Sequence, residues 1–276
     1  MPPQPLPPGF AYGVRKLARL GYAAKGSVYF TAGILSGKAA FNWGGQAASS
    51  GGAIRAMGTQ LPGRAVLGFI AFGLFSYALW RLVQALLDPE YGTPLALKNL
   101  AQRLGYAVNG LIYGGLGYTA LRGFMGQAKG DRGDQSLQQW ASLILSHPLG
   151  QWLLGTAGAF AIGLGFYYFY RALQKEFRKY LQLVQLSPQL EKWVIEVSRF
   201  GLTARGIVFV MIGTFLIQAA HYSDPSKVHS SEGILQVLDQ TFYGSWLLGV
   251  VALGLVAYSI YMLIQAKYRR IEIQHK

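Results

Sequence analysis

Apolar positions gather into six long stretches, near residues 20–41, 64–87, 104–121, 150–170, 200–220 and 244–266, separated by polar and basic segments. The fourth has no charged residue between Asp134 and Arg171, and the sixth has none between Asp239 and Lys267. Both exceed the roughly 20 residues that a helix needs to cross a bilayer. The first is shorter, with only Gly26 to Gly37 between Lys25 and Lys38. Those two lysines can snorkel towards opposite faces and so extend its reach. Three shorter amphipathic segments fall between the spans of each pair: GAIRAM from Gly52, SLQQWASLIL from Ser136 and GILQVL from Gly233. They are too short to span, and they are expected on the outer membrane surface. Thr93-Pro94 and Ser187-Pro188 each read as a hydroxyl N-cap followed by proline in the first helical turn. After the second, LSPQLEKWVIEVSRF mixes apolar and charged residues at helical spacing, which predicts a short cytoplasmic interfacial helix. The pattern as a whole predicts an all-α polytopic membrane protein. Its six transmembrane helices form three tandem helical hairpins, with short interfacial helices between them.

Composition agrees with that reading. Of 276 residues, 52% are apolar and 13% are charged, about half the charge of a soluble domain. The absence of cysteine excludes disulfides, thiolate metal sites and cysteine nucleophiles. The net charge of +14 would suit nucleic acid if the basic residues formed one patch. They are instead divided by the spans. Eighteen of the 25 lysines and arginines fall on the side that carries both termini, and seven fall on the other. By the positive-inside rule both termini are expected in the cytoplasm and the chain in a bacterial inner membrane, with no nucleic-acid partner. The opening MPPQPLPPGF has no basic-then-apolar signal pattern, so the first span is expected to act as its own insertion signal.

The odd spans repeat one another. RLGYAAKGSVYFTAG from Arg19, RLGYAVNGLIYGGLG from Arg103 and RFGLTARGIVFVMIG from Arg199 share an arginine, three glycines and an aromatic in register. Those glycines are Gly21, Gly105 and Gly201; Gly26, Gly110 and Gly206; and Gly33, Gly117 and Gly213. The even spans open on Gly63, Gly150 and Gly244, followed by Gly68, Gly155 and Gly249. The chain therefore divides into a proline-rich tail over 1–12, hairpin repeats over 13–92, 93–180 and 181–270, and a tail over 271–276. Repeats of two spans enter the membrane in one orientation, related by an axis along its normal, and a pseudo-threefold bundle is one solution.

The repeated R-[LF]-G-x-x-x-x-G pattern, the G-x-x-x-x-G opening of the even spans and the triplication resemble a bacterial membrane family, the domain-of-unknown-function family numbered 1206. The resemblance covers about residues 13–270 and implies a six-span inner-membrane protein. It implies no activity. Phe200 and Leu202 depart from the leucine and tyrosine of the other copies.

Small residues on one helix face let membrane helices approach closely, and the recurrent glycines are expected to serve that packing. Lys25, Asn109 and Arg205 are the candidate binding residues. Each precedes the second shared glycine, six residues past the shared arginine, about 9 Å further along the helix. An ionisable group at that depth is a functional hypothesis by default. Snorkelling or capping of a neighbouring helix is the structural alternative, and a ring holding an anion or lipid phosphate is the functional one. His147, His221, His229 and His275 lie at span ends or in a tail, without haem-like pairing or zinc spacing, so neither metal nor cofactor is expected. All eleven carboxylates lie in loops or at span ends, and the serines within spans have no histidine nearby. No enzyme is expected on those grounds. Two function classes follow. One is a structural or accessory membrane protein of a larger complex. The other is a transporter or channel for an anion or lipid-derived solute, with its site on the pseudo-threefold axis. The expected partners are the bilayer, anionic lipid and other membrane proteins.

Overall fold

A computed structural model describes residues 8–44, 47–59, 61–87, 97–127, 133–174, 187–239 and 244–269. These residues form nine α-helices and one 3₁₀ turn, with no strand among them. The helices are α1 (Pro8–Ala40), α2 (Ser50–Met57), α3 (Leu61–Leu87), α4 (Leu97–Phe124), α5 (Gly133–Leu145), α6 (Gly150–Leu173), α7 (Pro188–Tyr222), α8 (Ser231–Asp239) and α9 (Gly244–Tyr268).

Four helices are long and apolar enough to cross a membrane: α3, α6, α7 and α9. The other two long ones, α1 and α4, are diluted by polar groups. Lys25 and Lys38 interrupt α1, and Arg103, Asn109 and Arg122 interrupt α4. At 33 and 28 residues they still rise about 50 Å and 42 Å.

The three amphipathic segments between the apolar stretches are helices α2, α5 and α8. Helix α2 lies against α1 and α4, α5 against α6, and α8 against α9. Gln138 of α5 donates to the carbonyls of Ser226 and Val228, at 3.2 and 3.3 Å, which ties the second repeat to the 3₁₀ turn Pro225–Lys227 of the third.

Between Ser187 and Phe200 no separate interfacial helix forms. From Pro188 onward the chain is the first part of the 35-residue α7. Ser187 caps this helix by accepting from the Leu190 amide at 3.4 Å, and Pro188 occupies the first turn. No later proline breaks the ladder before Tyr222, so the helix runs straight through into the apolar stretch. The matching Thr93-Pro94 lies outside the described residues.

The long helices pair mainly between repeats. The most extensive packing joins α6 to α7, α1 to α9 and α3 to α4. Partners within a repeat pack less, α1 on α3 and α7 on α9. The corresponding pair of the second repeat, α4 and α6, does not pack in this way among the described residues.

Five aromatics mark the two ends of the bundle. Trp43, Trp140, Trp152 and Trp246 are exposed near the end that carries α2, α5 and α8, and Trp193 is exposed at the start of α7. Rings with one wet and one apolar side favour such positions. Trp80 differs, being buried against Ala18.

Candidate functional site

Each of the three candidate polar residues stands one position before a glycine at which helices cross. A Cβ on Gly26 would lie 2.9 Å from Leu263 of α9, and one on Gly110 would lie 3.1 Å from Leu82 of α3. On Gly206 it would lie 2.5 Å from Phe169 of α6. Leu263, Leu82 and Phe169 are equivalent positions of the three even spans. One turn pair further along, the same construction puts Gly33 at 2.7 Å from Val256, Gly117 at 3.3 Å from Phe75 and Gly213 at 2.6 Å from Ile162. The second recurrent glycine of each even span is looser. Gly68 would meet Phe124 at 3.1 Å, and Gly155 and Gly249 only alanine methyls at 3.8 and 3.9 Å.

Close crossing at these glycines turns the adjacent polar side chains inward, onto a cluster of tyrosines. Lys25 is 3% exposed. Its Nζ lies 4.4 Å from the centre of the Tyr113 ring, 5.0 Å from that of Tyr77 and 5.6 Å from that of Tyr258, and it donates to the Tyr77 hydroxyl at 3.5 Å. The hydroxyls of Tyr29 and Tyr113 are 3.2 Å apart. Arg205 reaches the same group from α7, donating through Nε to Tyr168 at 3.1 Å and through a terminal nitrogen to Tyr29. Its Cζ is 4.9 Å from the ring centre of Tyr258 and 5.1 Å from that of Phe209. Lys25 and Arg205 therefore share the Tyr258 ring and are bridged by the Tyr29–Tyr113 pair. Asn109 lies one turn before Tyr113, and its Oδ1 is buried with no hydrogen-bond partner among the described residues.

Two further arginines stand around this centre. Arg81 donates to the Tyr77 hydroxyl at 2.9 Å and to Gln84 Oε1 at 2.8 Å. Arg269 donates to Tyr22 and to Gln265 Oε1, the latter at 3.3 Å. Against this, the acids described on the six long helices are Glu191 and Glu196, both in the first turns of α7, where Glu196 pairs with Arg199 at 2.8 Å. The centre is thus cationic, lined by phenols and amides, and far from any described carboxylate. Cation–π contacts of this kind are worth about 0.5–2 kcal/mol each, the upper end when desolvated. They hold a cation in a dry place without cancelling its charge.

The tyrosines were not among the residues singled out from sequence. Tyr29 and Tyr113 were visible there as a recurrent aromatic of the odd spans, but Tyr77, Tyr168 and Tyr258 belong to even spans and reach the cluster only through helix pairing. No group of three or more metal-ligating side chains occurs among the described residues. His229 packs on Phe215 and His221 on Tyr222, while His275 lies outside the described residues.

Comparison with known proteins adds a family and a relative. The family described as Domain of Unknown Function (DUF1206) matches three successive segments, residues 20–88, 104–175 and 200–269. The uncharacterized protein YxxB of Bacillus subtilis (strain 168) is 31% identical over 256 residues, covering 93% of this chain and 91% of its own length. No solved structure matches. Three matched segments that follow the internal repeats, with a relative aligned along nearly the whole chain, establish that the protein belongs to the DUF1206 family.

Proposed function

We propose that the chain is a six-span bacterial inner-membrane protein, three tandem hairpins around a pseudo-threefold axis with both termini cytoplasmic, that binds an anionic group at its centre. The observation that carries this reading is the pairing of Lys25 with Arg205 around Tyr29, Tyr113 and Tyr258, with no described carboxylate nearby. Burying a cation between spans costs roughly 2.5–3.5 kcal/mol at the bilayer centre, less nearer its surface. A bound anion offsets that cost, and the phenol hydroxyls and Asn109 supply hydrogen bonds around it. The protein is read as a binding protein, not an enzyme, of the transporter or channel class.

The structural or accessory role is the second reading. It is favoured by the tyrosine rings themselves, three of which already stand 4.4–5.6 Å from the Lys25 ammonium. One experiment separates the two. Purified protein is exchanged into phosphatidylglycerol or phosphatidylcholine, and bound lipid is counted by native mass spectrometry. Anion binding requires preferential retention of phosphatidylglycerol, lost in Lys25→Gln/Arg205→Gln. Equal retention of the two lipids, unchanged by the substitutions, leaves the structural role.

A further inference from the structure

The three hairpins are not equivalent at the level of the cationic cluster. In the first, a Cβ on Gly21 of α1 would lie 2.5 Å from Tyr77 Cβ of α3, and in the third, one on Gly201 of α7 would lie 2.6 Å from Tyr258 Cα of α9. The second hairpin's Gly105 would meet nothing within 4 Å among the described residues. The sequence supplies the cause. Ala24 of α1 meets Gly73 of α3, and Ala204 of α7 meets Gly254 of α9. The matching positions of α4 and α6 carry Val108 and Phe160, and Leu164 replaces the tyrosine of Tyr77 and Tyr258. A methyl against a glycine permits backbone contact, whereas valine against phenylalanine forbids it. The consequence shows in burial. Val108 is 49% exposed and Phe160 57%, and Ile112 is 57% exposed where its equivalent Val28 is 2%. Of the most apolar stretch of α6, 22% is buried, against 50% for α3 and 56% for α9.

The seam between α4 and α6 lies beside the cluster. Tyr113 on α4 and Tyr168 on α6 are the residues through which these helices reach Lys25 and Arg205, and Asn109, one turn before Tyr113, carries a buried Oδ1 without a partner among the described residues. The rim of the seam is apolar, formed by Val108 and Ile112 of α4 and Phe160 of α6. An occupant must therefore be apolar outside and anionic inside. A neighbouring transmembrane helix meets the first condition and not the second. A phosphate-headed glycerolipid meets both: its acyl chains lie along the rim, its phosphate faces Lys25 and Arg205, and a head-group hydroxyl donates to Asn109 Oδ1.

Resting on the anion-binding reading, we infer that the α4–α6 seam is a lateral portal by which an anionic phospholipid passes its head from the bilayer to the Lys25–Arg205 cluster.

The test uses the full-length protein with two probes, long-chain phosphatidylglycerol and water-soluble glycerol phosphate. Val108→Ala/Phe160→Gly restores the small-residue crossing of the other hairpins and should close the seam. It is expected to weaken phosphatidylglycerol retention about tenfold, or ~1.4 kcal/mol, while binding of glycerol phosphate is unchanged. Lys25→Gln/Arg205→Gln should weaken both. If closure leaves both probes unaffected while the charge variant loses them, the portal is wrong and the cationic site stands. If the charge variant also keeps both, the site falls with it. Should the closing variant fail to fold, Val108→Cys/Phe160→Cys gives the same comparison within one sample, because the chain has no other cysteine. Bridging the pair with a thiol crosslinker should lower phosphatidylglycerol retention, and reduction of a cleavable linker should restore it. Retention indifferent to the crosslink, or crosslinks running only between two copies of the chain, would overturn the proposal.

Discussion

Lys25 of the first repeat and Arg205 of the third stack on the same ring, Tyr258 of α9, at 5.6 and 4.9 Å from its centre. Two like charges held against one ring repel each other, so each raises the cost of burying its neighbour. That relationship separates two kinds of residue at the centre, those whose contacts hold the bundle together and those whose charge works against burial.

Removing one charge should therefore not weaken the fold. Replacing a buried charged group by an apolar one of similar volume is often neutral or stabilising by about 1–4 kcal/mol. Lys25→Met should keep or raise the thermal midpoint in detergent while lowering retention of phosphatidylglycerol. A fall in the midpoint with lipid retention unchanged assigns Lys25 to the framework.

The glycines of equivalent register should respond differently. Gly21→Ala forces a methyl into Tyr77 and is expected to cost about 1–3 kcal/mol, as overpacked cores do. Gly105→Ala meets open space and gains helix propensity, so it should be neutral or stabilising by up to ~1 kcal/mol. Unfolding of the two variants in mixed micelles measures the difference, and equal losses would remove the distinction between the hairpins.

Topology is open to a direct check. Reporter fusions after Met1 and Lys276 should both report cytoplasm, and a cysteine placed at Ser146 between α5 and α6 should label from outside in intact cells. An outside signal at either terminus contradicts the cytoplasmic placement, and a split result contradicts the six-span count as well.

The turn after α7 should depend on pH. The Asp224 carboxylate accepts from the Ser226 amide at 3.0 Å and its hydroxyl at 2.6 Å, and these bonds hold it below the usual carboxylate range. A depressed folded-state pKa gives stabilisation that is full above the unfolded value of about 3.9 and is lost as pH falls through the folded one. Amide exchange at Ser226 and Lys227 should stay slow near neutrality and speed up, relative to the intrinsic rate, below about pH 4. Asp224→Asn should remove most of that pH dependence.

The apolar periodicity and the in-register arginines, glycines and aromatics were enough to read helices, their approximate limits and the threefold repetition. These are local properties, because helix formation in an apolar solvent satisfies the backbone within each segment. The Ser187-Pro188 cap was legible for the same reason. The length of α7 was not: nothing in the charged turns before Phe200 says whether the helix stops or continues, and the absence of a breaker decided it. The candidate polar triplet was found by register, yet its tyrosine shell was missed, since Tyr77, Tyr168 and Tyr258 approach Lys25 or Arg205 only once α3, α6 and α9 take their places around α1 and α7. Val108 and Phe160 are departures from alanine and glycine that any alignment of the repeats displays, but only the packing of the helices shows that both are left exposed where their equivalents are in contact. Sequence determines each helix and the depth of each side chain along it. Which helix stands beside which is left to the tertiary structure, because lipid tails are as apolar as leucine, and only close packing and polar contacts between helices distinguish one neighbour from another.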